Sequence, residues 1–228
     1  MRIIFVRHGH PDYEKDCLTD LGHLQAEACA KRLSEEKIAK FFSSSCGRAY
    51  ETAEHIAAPL KMEIEKCDFM REIQWGSKDG DQIFKDGHPW YVADDMVSNG
   101  QDLMDEDWEH KEPFIKNKVT DYVQNVIRGF DRWLASLGYE RDGLYYRVHN
   151  GNPDTVLMAS HGGSSSAVLS RLFNLNFPFI CASLKPDFTS VTIVSLEGEN
   201  GSLISPIIEV LNDARHIAHI CVDAKYGQ

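Results

Sequence analysis

Apolar and polar positions along the chain follow two patterns, one typical of buried strands and the other of amphipathic helices. Short apolar runs bounded by turn residues predict strands, and apolar residues that recur every three or four positions predict helices. The predicted strands are 3–6, 41–44, 63–69, 144–148, 155–159, 190–196 and 203–211, and the predicted helices are 20–34, 47–59, 113–138 and 162–173. Strands that alternate with helices indicate an α/β fold, here a three-layer α/β/α sandwich around a mixed, mostly parallel sheet.

Residues with known preferences at helix ends set the predicted boundaries. Thr19 is placed to cap the first helix, because a threonine hydroxyl accepts a hydrogen bond from a free N–H of the first turn. Pro59 is expected to stop the second helix, since proline lacks the N–H that the helix needs. Pro113 is expected to open the third helix and Gly138 to end it. The last two strands are predicted as a hairpin around 198–201.

Residues 79–117 form an acidic insertion with eleven Asp and Glu against three lysines. Their first part, 79–112, has little periodicity, so we predict a long loop within a single domain that spans residues 1–228. One interpretation is a solvated acidic loop. The other is a lid that covers the substrate and favours a monophosphate with a neutral, cationic or aromatic body. The candidate side chains for packing on the leaving group are those of His88, Trp90, Tyr91 and Trp108.

Composition narrows the classes of partner and compartment. A formal net charge of −11 argues against nucleic acid or an anionic membrane as a partner. The first residues carry neither a basic region nor a long apolar stretch, so we expect no signal peptide, no membrane span and a cytoplasmic location. Six cysteines without CxxC spacing favour buried or idle thiols over disulfides and zinc ligands. The sequence leaves the oligomeric state open.

The first predicted strand carries the most informative chemistry. Its apolar run 3–6 ends in Arg7, His8 and Gly9, so a buried strand delivers a cation and an imidazole to its carboxyl end. Ligands bind at that end of the strands in open α/β sheets. Imidazole can act as a nucleophile, and a neighbouring guanidinium suits the oxygens of a phosphate.

Two further segments end in similar chemistry. The strand 155–159 leads to His161 and Gly162, and the second predicted helix carries Arg48 in its first turn. Parallel strands can bring both histidines to one edge of the sheet, where the free N–H groups of a helix also favour anions. The sequence therefore predicts a compact pocket for a phosphate dianion.

These residues resemble the motifs of the histidine phosphatase superfamily, which has the phosphoglycerate mutase-like fold. Five motifs occur in the family's order and together extend over nearly all of the chain outside 79–117. They are Arg7-His8-Gly9, Leu18-Thr19-x-x-Gly22-x-x-Gln25-Ala26, Ser44-Ser45-x-x-Arg48-x-x-x-Thr52-Ala53, Arg71-Glu72-Ile73-Gln74-Trp75-Gly76 and Ser160-His161-Gly162-Gly163.

The resemblance implies a metal-independent phosphomonoesterase that needs no cofactor and acts on a small phosphorylated metabolite. It implies that His8 attacks phosphorus and becomes a phosphohistidine. Arg7, Arg48 and His161, with Gly162 beside them, would bind the phosphoryl group and stabilise the charge of the transition state.

The resemblance also implies that Glu72 protonates the leaving group and later assists the attack of water. Asp68 and Asp79 are the alternative acids. The chemistry itself requires His8 to be neutral at its attacking nitrogen, with the other nitrogen fixed by a backbone carbonyl. It equally requires Glu72 to start protonated, through a pKa raised by burial or by the substrate.

Alternatives remain open at this point. The spacing His8-x-His10-x-Asp12 is similar to the start of a zinc-binding pattern, but Tyr13 stands where that pattern has a final histidine. Otherwise His10 is a possible substrate contact or a solvent-facing residue. A phosphoglycerate mutase would share every catalytic residue, and a non-catalytic sensor would bind phosphorylated ligands without turnover. The pair Asn212 and His216 also resembles a family feature and is expected to be structural.

Overall fold

The computed structural model describes residues 1–220, in which eleven strands and six α-helices form an α/β sandwich. The strands are β1 (Arg2–Arg7), β2 (Pro11–Asp12), β3 (Cys17–Leu18), β4 (Ile38–Ser43), β5 (Ile64–Lys66), β6 (Tyr139–Asp142), β7 (Tyr145–Val148), β8 (Thr155–Ser160), β9 (Val191–Ser195), β10 (Leu203–Ile204) and β11 (Ile207–Asp213). The helices are α1 (Asp20–Leu33), α2 (Gly47–Leu60), α3 (Pro89–Ser98), α4 (Val119–Ser136), α5 (Gly162–Phe173) and α6 (Phe177–Ser183). Short 3₁₀ segments occur at Asp68–Met70, Phe84–Gly87, Trp108–His110 and Arg215–Ile217.

The main sheet has six strands in the order β11-β9-β1-β8-β4-β5. The pairs β1–β8, β8–β4 and β4–β5 are parallel, whereas β9 runs antiparallel to both of its neighbours. The predicted mixed, mostly parallel sheet is therefore confirmed. Two smaller sheets, β10-β7-β6 and the hairpin β2-β3, lie outside it.

Successive residues of β1 face opposite layers of helices, which is why its apolar run is continuous. Ile3 and Phe5 belong to the larger core cluster, which they share with α4 and α5. Ile4 and Val6 belong to the second cluster, which they share with α1 and α2. A strand covered on both faces has no solvent side and needs no polar alternation. The arrangement is the predicted three-layer sandwich.

Most helix boundaries match the expectations from capping residues. The Thr19 hydroxyl accepts a hydrogen bond from Gly22 N at 3.2 Å at the start of α1. The helix α2 includes Pro59 in its last turn and ends at Leu60, one residue beyond the expected stop. Lys61 then adopts a left-handed conformation that closes the helix.

The long loop expected at 79–112 is partly wrong, because this segment contains the helix α3. Its Val92, Ala93 and Met96 are buried in the larger core cluster. The acidic side chains around them hide the helical spacing in the sequence. The insertion is thus partly ordered as a helix that packs against α6.

The third predicted helix corresponds to α4. The prediction that Pro113 opens this helix is also wrong, since α4 begins at Val119. The preceding backbone pairs with residues 76–78: Lys78 N donates to Lys116 O, and Lys118 N donates to Gly76 O, both at 2.8 Å. Asn117 then accepts a hydrogen bond from Val119 N at 3.0 Å. Backbone groups engaged in this pairing cannot also form the first turns of a helix.

The strand expected at 203–211 is divided in two. Pro206 separates β10, which pairs with β7, from β11, which pairs antiparallel with β9 as the predicted hairpin requires. Proline cannot donate a hydrogen bond to a neighbouring strand, so the chain changes sheets there. The strands β5, β7, β8 and β9 lie within or close to their predicted ranges, whereas β6 and α6 were not predicted.

Five cysteines in the described range are free thiols, and four of them are buried. Burial raises the pKa of both Cys29 and Cys67 to about 12. These thiols therefore behave as apolar side chains, and Cys221 lies outside the described residues. Within residues 1–220, no helix is long and apolar enough to cross a membrane.

Candidate active site

Two histidines meet at one edge of the sheet because the strands that carry them are parallel neighbours. Arg7 at the end of β1 is in register with Ser160 at the end of β8, and His8 N donates to Ser160 O at 2.9 Å. Both imidazoles are buried, and their ring centres lie 5.1 Å apart at an angle of 61°. The strand order thus brings His8 and His161 together, as the sequence predicted.

The tautomer of His8 is set by its neighbour in the chain. Its Nδ1 lies 2.7 Å from the Gly9 carbonyl oxygen, which can only accept, so Nδ1 carries the proton. The lone pair is therefore on Nε2, to which Arg48 Nε donates at 3.4 Å. Burial, with Arg7 and Arg48 adding to it, holds the pKa of His8 well below its usual range. Both features keep Nε2 unprotonated near neutral pH.

The tautomer of His161 follows from a serine at the end of β4. The Ser44 hydroxyl accepts a hydrogen bond from Cys46 N at 3.2 Å and lies 2.8 Å from His161 Nε2, which is the acceptor that the described residues offer to its proton. His161 Nδ1 then carries the ring proton, and this buried atom has no partner among the described residues. Burial, followed by the charges of His8 and the arginines, holds the pKa of His161 well below its usual range. The ring is a neutral donor that is free to bind an anion.

Arg48 is fixed at the start of α2 by an acid that the sequence analysis did not single out. Asp16, in the turn between β2 and β3, forms an ion pair with Arg48 Nη1 and accepts from Gly47 N at 2.7 Å. The Tyr13 ring lies 5.3 Å from the same guanidinium. No motif in the sequence marks Asp16, because its role depends on how the small hairpin folds over α2.

Arg7 supplies the second guanidinium of the site and is half-buried. Its Nη1 donates to the Pro186 carbonyl, and its guanidinium carbon Cζ lies 4.2 Å from the centre of the Phe188 ring. Its Nε is buried without a hydrogen-bond partner in the described part of the chain. Burial lowers the pKa of Arg7 from its ordinary value. An oxyanion next to Nε would satisfy this donor and offset the burial of the charge.

Glu72 approaches the histidines from the segment after the Asp68–Met70 turn. Its Oε1 accepts hydrogen bonds from Ile73 N at 3.0 Å and Ser164 N at 3.1 Å. This approach needs a glycine at the start of α5, because a Cβ on Gly163 would lie 2.6 Å from Oε1. Burial raises the pKa of Glu72, against the opposing effect of Arg7 and Arg48. The carboxyl group therefore keeps its proton to a higher pH than an exposed glutamate.

The two alternative acids lie away from this cluster. Asp68 is exposed and accepts a short hydrogen bond from the Ser45 hydroxyl. Asp79 is also exposed, where it accepts from Ser77 and faces Lys116. Glu72 is the carboxyl group that the structure brings to the histidines.

The zinc pattern suggested by His8, His10 and Asp12 is not assembled. His10 Nδ1 lies 2.9 Å from the Thr19 hydroxyl, and Asp12 forms an ion pair with Lys15 at 3.0 Å. Among the described residues, the group of ligand-type side chains close enough to hold a metal ion is His8, Glu72 and His161, within 4.8 Å of one another. Two guanidinium groups border this group, which makes it a poor site for a cation and a good one for an anion.

A cavity of about 590 Å³ adjoins the histidine cluster at Glu72, and five of the eleven residues that line it have aromatic rings. Arg7, Glu72 and Gly162 line its inner end, and His8 lies below the floor within 4.8 Å of Glu72. The acidic insertion contributes His88, Trp90, Tyr91 and Asp94 to the wall, and Tyr13, Trp75, Lys185 and Pro186 complete it.

The other aromatic candidates lie elsewhere. Trp108 is buried in the core, 5.0 Å from the Phe114 ring and 6.0 Å from the Phe177 ring between centres. His10 is packed 5.4 Å from Phe188 and is not on the cavity wall. Tyr13, Asp94 and Lys185 were not singled out as substrate contacts from sequence, since they reach the cavity only through the tertiary fold.

Fold and site together define an α/β protein with a cluster of buried hydrogen-bond donors, suited to an anion, at the carboxyl edge of its sheet. The family model described as the histidine phosphatase superfamily (branch 1) matches residues 3–127, more than half of the chain. The chain therefore belongs to the histidine phosphatase superfamily.

Two similar proteins of known sequence carry related names. A protein from Hydrogenobacter thermophilus named putative phosphoserine phosphatase 2 is 23% identical over 217 residues, which cover 89% of this chain and 93% of that protein. Phosphoglycerate mutase-like protein 4 of Arabidopsis thaliana is 37% identical over 89 residues, 34% of this chain and 39% of that protein.

Solved structures agree on the fold. A mycobacterial glucosyl-3-phosphoglycerate phosphatase aligns with a TM-score of 0.63 at 21% identity, covering 92% of this chain and 98% of the other. A phosphoserine phosphatase from Entamoeba histolytica, in complex with phosphoserine, aligns with a TM-score of 0.62 at 18% identity, covering 95% and 98%. These likenesses confirm the phosphoglycerate mutase-like fold, and the relatives are enzymes named as phosphatases.

Proposed function

We propose that the protein is a metal-independent phosphomonoesterase that works through a phosphohistidine at His8. Its substrate in this proposal is a small phosphorylated metabolite, and His88 and Trp90 of the acidic insertion contact the leaving group. A cytoplasmic location belongs to the same proposal and is supported by the scattered free thiols.

The hydrogen bond from His8 Nδ1 to the Gly9 carbonyl, at 2.7 Å, is the observation that carries the proposal. It leaves the lone pair on Nε2, which points into a group of anion-binding donors: Arg48 at 3.4 Å and the adjacent His161 ring. A neutral imidazole surrounded by phosphate-binding donors is suited to nucleophilic attack on phosphorus.

The first step transfers the phosphoryl group to His8. The Nε2 lone pair attacks phosphorus in line with the ester bond, and the N–P bond forms as the bond from phosphorus to the ester oxygen breaks. Protonated Glu72 gives its proton to the departing alkoxide, so the alcohol leaves neutral. The raised pKa of Glu72 supports this role, because the acid form persists towards neutral pH.

The second step returns the enzyme to its starting state. The Glu72 carboxylate takes a proton from water as the water oxygen attacks phosphorus. The N–P bond breaks, its electron pair returns to Nε2, and inorganic phosphate leaves. Glu72 is protonated again, so one water is consumed for each phosphate and alcohol produced.

The two guanidinium groups supply the positive charge that stabilises the transition state, and neutral His161 adds an N–H donor. The buried Arg7 Nε and His161 Nδ1 both lack partners in the described part of the chain and are available to phosphoryl oxygens. Donors fixed before the reaction need no reorganisation as charge develops. This is the physical reason to expect activity without a metal ion.

The test is phosphate release from a panel of phosphomonoesters at pH 5 to 8 with EDTA present. Wild type is compared with His8→Ala and with the control His149→Ala, which removes an exposed histidine outside the site. We expect turnover that survives EDTA, is kept by the control and falls in His8→Ala by on the order of 10³-fold or more. Rapidly quenched wild type should carry one phosphoryl group on the peptide that contains His8. Activity abolished by EDTA, or retained by His8→Ala, contradicts the proposal.

A phosphoglycerate mutase is the second candidate, and the charges of the cavity disfavour it. A mutase has to bind a second anionic end of its substrate. Among the described residues on the cavity wall the cations are Arg7 and Lys185, and Lys185 is bound to Asp94 at 2.8 Å. With 3-phosphoglycerate we therefore expect release of inorganic phosphate and no isomerised ester. For a non-catalytic sensor, wild type would bind phosphorylated ligands without turnover.

A further inference from the structure

We infer that the leaving group of the substrate is an alcohol that carries an aromatic ring and no carboxylate. The inference rests on the proposed phosphatase activity and concerns the cavity beyond the phosphate. Its basis is the kind of side chain that forms the wall and the pairing of Lys185, the wall cation away from the phosphate, with Asp94.

The wall that faces the leaving group is a cluster of rings. His88 lies at its centre, 4.7 Å from Trp75, 5.6 Å from Trp90 and 4.6 Å from Tyr91 between ring centres. Burial lowers the pKa of His88, so this ring is uncharged near neutral pH. Contiguous aromatic surface of this kind binds another ring through edge-to-face or offset stacking.

Trp90 brings this surface close to the phosphate. A Cβ placed on Gly162 would lie 3.7 Å from the Trp90 ring and 3.7 Å from Arg7 Nε. The indole is held in place because Trp90 Nε1 donates to Leu184 O at 3.2 Å. A ring joined to the phosphate by a short alkyl spacer would therefore contact Trp90 while the phosphate contacts Arg7.

The charges on the wall argue against a carboxylate on the leaving group. Lys185, the cation farther from the reaction centre, donates to Asp94 at 2.8 Å. A carboxylate would have to displace Asp94 and would enter next to an insertion with eleven acidic residues. Burying an unpaired charge is costly, whereas an uncharged ring adds only apolar contact.

The cavity is also the right size for such a group. About 590 Å³ lies within the range of pockets that enclose a small organic ligand. A phosphate with a two- or three-carbon chain would leave most of this volume to water, and most of the ring surface uncovered.

The experiment compares esters of unactivated primary alcohols, so that alcohol reactivity does not differ. We expect kcat/KM for phenylethyl phosphate to exceed that for butyl phosphate on the order of tenfold. Phosphoserine and phosphocholine should both rank below phenylethyl phosphate. The binding affinities of the same esters for His8→Ala, followed by tryptophan fluorescence, should show the same order without turnover.

Tyr91→Ala and Tyr145→Ala form a matched pair of variants. Both tyrosines are exposed, at 40% and 49%, but only Tyr91 lines the cavity. Tyr91→Ala should lower the ratio of kcat/KM for phenylethyl over butyl phosphate severalfold, because a stacking surface is lost. Tyr145→Ala should leave that ratio at the wild-type value.

The outcomes separate this inference from the proposed function. If phosphoserine or phosphocholine is preferred, or if phenylethyl phosphate gains nothing over butyl phosphate, the inference is wrong and the phosphatase proposal stands. If no ester in the panel releases phosphate, the proposed function fails and the inference fails with it. An equal ratio in Tyr91→Ala and Tyr145→Ala would show that the rings do not select the substrate.

Discussion

At the scale of single residues, the site depends on hydrogen bonds that fix which atoms carry protons. The Gly9 carbonyl leaves His8 Nε2 unprotonated, and the Ser44 hydroxyl leaves a proton on His161 Nδ1. One imidazole can thus act as a nucleophile while its neighbour, 5.1 Å away between ring centres, acts as a donor. The difference between the two histidines comes from their hydrogen-bond partners, because the imidazole rings themselves are identical.

The sequence could predict the residues of this cluster but not all of their partners. His8 and His161 follow apolar runs, and that pattern alone places them at strand ends. Asp16 and Lys185 follow no such pattern, because their contacts with Arg48 and Asp94 depend on loops that the strand and helix periodicity does not describe. Sequence patterns can therefore predict residues that have a fixed position on a strand or helix. Residues that reach the site through loop conformation are found only from the structure.

Glu72→Gln tests whether the leaving group receives its proton from Glu72. The amide keeps the size of the side chain but cannot donate a proton to an alkoxide. We expect kcat/KM for butyl phosphate to fall about 10²–10⁴-fold, the usual contribution of a general acid. For 4-nitrophenyl phosphate the loss should be much smaller, because that leaving group is stable as an anion.

The pH profile provides an independent control for the same variant. Since the pKa of Glu72 is raised and that of His8 is lowered, wild-type activity should fall on the alkaline side as Glu72 loses its proton. Glu72→Gln should lack this alkaline limb. Equal losses on both esters with an unchanged profile would mean that Glu72 has a structural and not a catalytic role.

At the scale of elements, periodicity predicted the central strands and the long helices. It missed segments that are short or whose apolar positions lie among acidic residues. The seven-residue helix α6 is too short for a repeating pattern to stand out. The helix α3 begins with Pro89 at its first position, a start signal that acidic neighbours obscured. The helix α3 supplies part of the cavity wall and α6 packs against it, so the sequence predicted the histidine cluster better than this part of the wall.

The position of Glu72 depends on a close approach between two elements. The Asp68–Met70 turn, which leads to Glu72, packs against α4 at Gly129. A Cβ on Gly129 would lie 2.2 Å from Phe69 Cβ, an atom next to the backbone that cannot rotate away. An alanine there would force the turn away from the helix.

Gly129→Ala therefore tests whether this approach matters more than helix propensity. Propensity alone would stabilise the helix by about 1 kcal/mol, whereas overpacking costs about 1–3 kcal/mol. Because Phe69 Cβ cannot rotate away, the overpacking cost should lie in the upper part of that range, about 2–3 kcal/mol. We therefore expect the free energy of unfolding to fall by about 1–2 kcal/mol in urea denaturation, with lower kcat as Glu72 is displaced. Arg132→Ala, on the exposed face of α4, should stay within about 0.5 kcal/mol of wild type. A Gly129→Ala protein as stable as wild type would contradict the close approach.

At the scale of the whole molecule, the edge strand β11 is hydrogen-bonded to the loop that contacts Arg7. Asn212, left-handed at a φ of 47°, accepts from Asp187 N at 2.9 Å and donates to Lys185 O at 3.2 Å. Pro186, which lies between Lys185 and Asp187 in the chain, accepts a hydrogen bond from Arg7 at its carbonyl oxygen. Asn212 thus connects β11 to the loop that contacts Arg7.

His216 adds a half-buried, neutral ring to the contacts at this end of the sheet. Arg32 Nη1 donates to its Nδ1 at 3.2 Å, so the proton is on Nε2, which donates to the Thr189 hydroxyl at 3.1 Å. Burial, with Arg32 adding to it, lowers the pKa of His216 to about 4, although Asp213 opposes the shift. An arginine beside the ring is compatible only with the uncharged form.

His216→Gln should consequently reduce the dependence of stability on pH. An unfolded histidine titrates near ~6.5, so between that pH and the folded value the unfolded chain binds more protons than the folded one. Wild-type stability at this residue is complete above that range and declines as the pH falls through it, by on the order of 2 kcal/mol between pH 7.5 and 5. Urea denaturation at both pH values should show the gap between wild type and His216→Gln shrinking by about that amount, because glutamine does not titrate. Parallel behaviour of His216→Gln and wild type would mean that the His216 ring does not make stability depend on pH.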